Sequence, residues 1–305
     1  MAEFHYGGQA VMEGVMMRGR KYMATVVRRP NGELTNNTQL VPSLYTGRLR
    51  TLPLVRGIIV LIETLALGIK ILTYSANVAL EEEGEKIEGW PVWLMMAVAL
   101  AAAIAIFFLT PLFITRLFTI ESTLLFHLVE GVIRLVLFIA YLWLISLMPD
   151  IKRVFAYHGA EHKTINAYEA GVPLEVGAVK EYGKAHVRCG SSFMFMVLLI
   201  AILVFSLIGR PTLWLMVLSR ILLVPVIAAL GYELVYFAAR HTGNPLVKVI
   251  IAPGLWLQSM TTREPDDGQI EVAIEALNLV MEAERAEEAP AEAVSQESFP
   301  VSEAP

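Results

Sequence analysis

The sequence predicts a mainly α, polytopic membrane protein: four transmembrane helices in two hairpins, an interfacial or re-entrant helix, and a small N-terminal β element. Three observations carry this fold class. Only 17% of the 305 residues are charged and 56% are hydrophobic, whereas a soluble domain carries about 25% charged residues. Mean hydropathy is +0.58. Four segments, Pro91–Phe113, Leu124–Leu147, Ser191–Ile208 and Leu213–Tyr236, come close to the roughly 20 apolar residues that a helical span needs.

Orientation follows from the cations. Residues 1–53 hold seven Lys and Arg (Arg18, Arg20, Lys21, Arg28, Arg29, Arg48, Arg50) and 149–190 hold six (Lys152, Arg153, Lys163, Lys180, Lys184, Arg188). Each hairpin tip holds one, Arg116 or Arg210. The positive-inside rule then puts both termini and 149–190 in the cytoplasm and the tips outside. The first twenty residues show no secretory-signal pattern. There is no basic surplus to suggest nucleic acid as a partner. The single cysteine, Cys189, excludes an internal disulfide framework.

Element by element, the chain reads as a glycine-rich/β-hairpin unit (1–53), a non-spanning helix (54–78) and a first hairpin (91–147). A cytoplasmic helix and loop (148–190), a second hairpin (191–237), a C-terminal segment with an amphipathic helix at Ile270–Arg285 (238–285) and a disordered Ala/Glu/Pro/Ser tail (286–305) follow. Met23–Arg29 and Glu33–Val41 flank Pro30-Asn31-Gly32 and predict a hairpin. The glycines of Tyr6–Gly19 predict a further tight-turn β element. Leu54–Val78 is apolar, yet Arg56, Glu63 and Lys70 recur every seven residues on one face. Such a polar stripe suits an interfacial or re-entrant position.

The chemistry concentrates in a helix running from Asp150 to Gly171. His158 and His162 lie one turn apart on one face, the separation at which two imidazoles can hold one metal ion. Glu161 completes H-x-x-E-H, the inverted zinc-peptidase pattern, and is expected to act as the general base towards water. The cofactor expected is a divalent metal, zinc above others.

Glu233 is the first-ranked third ligand, since it lies roughly 30 Å along the last span, at the inner membrane boundary where the 150–170 helix starts. His186 and Cys189, in His-Val-Arg-Cys-Gly just before the third span, are alternative ligands. His241 is on the same side, and His5 is conceivable without a spacing argument. A separate set, His127, Glu130 and Arg134, shares one face of the second span, with Arg220 at comparable depth. It reads as an ion pair locking the hairpins together ahead of a proton path.

Three blocks then stand together: Tyr6–Gly19, His158–Glu169 and His186–Phe193. They resemble the signature blocks of the YqhQ-like family of uncharacterised bacterial membrane proteins, described as predicted metal-dependent enzymes. The resemblance runs from residue 6 to about residue 260, and it implies a multi-pass protein of the bacterial cytoplasmic (inner) membrane. The functional expectation is a metal-dependent enzyme, a hydrolase or peptidase working at the cytoplasmic membrane surface. The alternative is a non-catalytic scaffold or accessory subunit of an envelope or protein-insertion complex. A transporter is a third reading, for which the polar path is short. The partners expected are the lipid bilayer and other membrane proteins.

Overall fold

The computed structural model describes residues 6–42, 51–81, 89–241 and 243–296. Its N-terminal unit is a four-stranded antiparallel sheet in the order β1-β2-β3-β4, made of Gly7–Val11, Gly14–Arg18, Tyr22–Arg28 and Leu34–Leu40. Both predicted turns are present. Met12 and Glu13 close β1 onto β2, Glu13 adopting φ 51°, and Gly32, at φ 89°, turns β3 into β4.

Alternation along the strands gives this small sheet two buried faces. Val15, Met17, Ala24 and Val26 pack against Tyr157, Ala160, Ile270 and Leu277. Met16, Met23 and Val27 point the other way, against Ile59, Leu67 and Ile71. The first face is covered by helices α5 (Pro149–Glu169) and α11 (Asp267–Gln296), the second by α1 (Val55–Ala79).

Each member of the charged stripe of α1 is engaged by another element of the protein. Glu63 is buried against Arg18 of β2 at 2.5 Å, Arg56 pairs with Glu233, and Lys70 donates to Gln39 at 2.7 Å. Val55, Ile58, Ile62, Leu65 and Leu72 are the exposed residues. Glu63 therefore faces the sheet together with Ile59, Leu67 and Ile71, and a second apolar face of α1 is exposed.

The remaining helices are α2 (Trp90–Ile104), a π-helical turn at Ala105–Leu109, α3 (Thr110–Arg116), α4 (Thr123–Ile145), α6 (Val176–Lys180), α7 (Gly190–Ile208), α8 (Leu213–Leu222), α9 (Val224–Arg240) and α10 (Pro245–Thr261). Among the described residues three helical stretches are long and apolar enough to cross a membrane: Trp90–Arg116, Thr123–Ile145 and Gly190–Ile208. The expected fourth span is a bent pair, α8 and α9 meeting at 48°. Pro225, in the first turn of α9, supplies the break because it cannot donate back to α8.

Two further differences concern the C-terminal part. α10 is a helix the sequence reading did not anticipate; Lys248 and the internal Pro253 interrupt its apolar pattern, and it packs on α7. Residues 286–296, expected to be disordered, continue α11, consistent with the high helix propensity of Ala and Glu. Residues 297–305 lie outside the described residues.

The polar set of the second span comes together as the helical spacing implied. Glu130 of α4 accepts from Arg134 at 2.7 Å and from Arg220 of α8 at 2.7 and 3.1 Å. His127 lies 3.1 Å from the same carboxylate and 3.0 Å from the Gly209 carbonyl. Arg134 Nε also donates to the Phe107 carbonyl at 2.9 Å. Pro111, four residues further on in α3, has no N–H to give that carbonyl. The ion pair thus joins α4 to α8, one helix from each hairpin.

Candidate metal centre

α5 carries the histidines. Pro149 opens it and Asp150 sits in its first turn, where a carboxylate complements the helix dipole. One wall of the site is the helix face bearing His158, Glu161 and His162. Gly159 allows a second wall to approach, because a Cβ there would lie 2.1 Å from the Arg263 carbonyl. The Arg263 amide donates to the Phe155 carbonyl at 2.8 Å, so the stretch after α10 is strapped across α5.

That strap orients the first histidine. His158 Nδ1 lies 2.8 Å from the Thr261 carbonyl, and His162 Nδ1 lies 2.6 Å from the Lys184 carbonyl. Each Nδ1 must carry the proton to donate to a carbonyl, leaving both Nε2 lone pairs free. Backbone acceptors behind ring nitrogens are the usual outer support of metal-ligating histidines. Cys189, the residue before α7, meets them: its Sγ is 3.2 Å from His158 Nε2. One ligand atom from each of His158, His162 and Cys189 lies within 4.8 Å of the others.

Gln258 of α10 sets the loop that presents the cysteine. It is buried, accepts from the His186 amide at 3.0 Å, and donates to the His186 carbonyl at 2.6 Å and to Ser192 Oγ at 2.8 Å. Neither Gln258 nor the Thr261 and Lys184 carbonyls were among the residues expected. A lone glutamine in the apolar run Leu255-Trp256-Leu257-Gln258 was the available signal for the first. Nothing in a sequence marks a backbone carbonyl.

Glu161 completes the floor, with Oε2 3.7 Å from His162 Nε2 and 3.9 Å from His158 Nε2. These distances put the carboxylate beside the ligand set, within reach of a water on it. Gly8 of β1 makes room for it, since a Cβ at that position would come within 2.7 Å of Glu161 Cγ. Tyr6, Gly7, Gly8, His158, Glu161, His162, Ile165, His186, Arg188, Cys189 and Gly190 line a cavity of about 110 Å³.

Of the other expected ligands, His186 is adjacent, its ring 5.6 Å from that of His162, with Nε2 3.7 Å from Glu169. Glu233 is elsewhere. Its carboxylate is held in a bidentate pair by Arg56, with Nε at 2.7 Å, and accepts from the Leu54 amide at 3.0 Å. Position along a helix axis does not specify azimuth, and Glu233 faces α1. His241 packs on Phe237, with ring centroids 4.2 Å apart, and His5 lies outside the described residues.

Fold and site together define a mainly helical protein with candidate membrane spans, a small sheet lobe and a histidine–cysteine cluster where the lobe meets α7. The chain belongs to the family described as "Protein of unknown function (DUF1385)", whose model matches residues 52–283. It is 36% identical to "Uncharacterized protein YqhQ" of Bacillus subtilis (strain 168), over 92% of this chain and 93% of that protein. No solved structure matches it.

Proposed function

We propose that this chain is a multi-pass membrane protein with a metal-dependent hydrolase site, His158, His162 and Cys189 holding one divalent ion and Glu161 acting as general base. The observation that carries this reading is the convergence of three ligand atoms within 4.8 Å while both Nδ1 atoms are engaged by backbone carbonyls. Two imidazoles and a thiolate suit zinc, and three protein ligands leave a fourth position for substrate or water. A bound ion would supply a Lewis acid and lower the pKa of water towards about 7. Glu161 then accepts the proton, and Gly8 and the buried α5 face keep the carboxylate in place.

The thirteen-to-two distribution of cations between residues 1–53 with 149–190 and the hairpin tips supports a cytoplasmic lobe. The site would then lie at the membrane surface, because Cys189 immediately precedes the apolar helix α7. Lipid is the natural cover for α2, none of whose residues is buried. The same helix favours the second reading, a scaffold, because most of its surface is exposed and open to partner helices.

Metal analysis of the full chain in detergent micelles tests this. About one ion per chain is expected, lost in His158→Ala, His162→Ala and Cys189→Ala and kept in Glu161→Gln and Glu233→Ala. Cobalt substitution should give a thiolate charge-transfer band that Cys189→Ser removes. Folded protein without stoichiometric metal would sink the hydrolase and leave the scaffold. Metal loss in Glu233→Ala, with Cys189→Ala unaffected, would restore the carboxylate as ligand.

A further inference from the structure

The sheet leaves one edge open beside the ion site. β1 is a terminal strand of the sheet, and the two-residue turn at Met12-Glu13 makes Val11 and Gly14 a directly paired couple. By antiparallel alternation Val11, Gln9 and Gly7 bond to β2, and Gly8 and Ala10 turn their N–H and C=O groups to the free side. Among the described residues those groups have no backbone partner. Gly7 and Gly8 are exposed and line the cavity with His158, Glu161 and His162. A Cβ at Gly7 would meet nothing within 4 Å, so that face of the strand is uncrowded at its cavity end.

A free edge offers alternating donors and acceptors at the spacing of an extended polypeptide, the one ligand whose own backbone matches it along its length. Resting on the metal-centre reading, we propose that the substrate is a polypeptide that adds to β1 as a fifth strand. Its backbone pairs with Gly8 and Ala10, and its scissile carbonyl lies in the cavity above Glu161. Cleavage consumes one water: a C–O bond forms at the carbonyl carbon and the C–N bond breaks. Glu161 takes the water's proton and passes it to the departing amine nitrogen.

The test uses zinc-loaded full-length protein in micelles. The probe is an unstructured decapeptide of alternating valine and threonine with a C-terminal hydroxamate, and acetohydroxamate reports the ion alone. Two further peptides carry N-methyl groups on alternate residues, one on the odd positions and one on the even. The proposal expects one methylated set to bind at least about tenfold more weakly and the other to stay within about threefold, since each set removes donors from a different side of the strand. Bound peptide should slow amide exchange at Gly8 and Ala10 by about tenfold or more. Ala10→Pro should weaken the peptide and leave acetohydroxamate unchanged. If acetohydroxamate binds but the two methylated sets behave alike and exchange at Gly8 and Ala10 is unaltered, the added strand is wrong and the metal centre stands. If no ion is retained and neither hydroxamate binds, both fall.

Discussion

Gly159 is the residue on which the closeness of the two walls depends. With the Arg263 carbonyl 2.1 Å from where its Cβ would be, any side chain must push the strap away, and Thr261, which orients His158, moves with it. Gly159→Ala should destabilise by about 1–3 kcal/mol, the usual cost of overpacking, and weaken metal binding. Gly177 in α6 meets nothing within 4 Å, so Gly177→Ala is the control and should be neutral or slightly stabilising. Thermal unfolding with a metal titration on both variants separates crowding from a general effect of losing glycine. Gln258→Leu removes three hydrogen bonds from the 186–192 loop. It should cost about 1–3 kcal/mol and lower metal affinity by about 10–100-fold, as losses of outer support do. Unchanged affinity would mean that the loop holds Cys189 without it.

At the scale of elements, the connection of α4 to α8 depends on one carboxylate. Glu130 lies between two guanidinium groups, and all three residues are at most 1% exposed. Glu130→Gln would leave Arg134 and Arg220 buried without a counter-charge, and the expected cost is about 3–5 kcal/mol. Urea or thermal unfolding in micelles reads this directly, and a cost below about 1 kcal/mol would mean that water or lipid reaches the arginines. Helical spacing in the sequence was enough to group His127, Glu130 and Arg134, because residues three and four apart share a face whatever surrounds the helix. It could not show that the Phe107 carbonyl would also be an acceptor, since that depends on which helix packs beside α4. α10 escaped for a related reason: a 17-residue helix interrupted by Pro253 has a weak periodic signal, and its packing on α7 is what sustains it.

For the molecule as a whole, the sheet lobe should set the alkaline limit of stability. Burial, then the charge of Glu13, raises the Tyr157 phenol well above its ordinary 10.0. Burial, then Glu284, does the same to Tyr6. A folded-state pKa above the unfolded one favours folding fully below about pH 10 and loses that contribution as the unfolded phenols ionise above it. Lobe stability should therefore be flat up to about pH 10 and fall beyond, and Tyr157→Phe should make the decline shallower. Circular dichroism melts between pH 8 and 11 check it; an unchanged alkaline slope in Tyr157→Phe would assign the loss to other groups.

Composition, hydropathy runs and the three- and four-residue spacing of polar side chains are local properties. From them alone came the apolar helices, the hairpin turn at 30–32, a tight-turn β element within Tyr6–Gly19, and the shared face of His158 and His162 beside Glu161. The thiol that meets the two histidines is a long-range matter. Cys189 reaches His158 across 31 residues, through a loop held by Gln258 that is itself 72 residues from His186. Glu233 is drawn off by Arg56, 177 residues away. Periodicity says which side chains share a face but not which faces meet, and so tertiary packing alone brought Cys189, and not Glu233, to the two histidines.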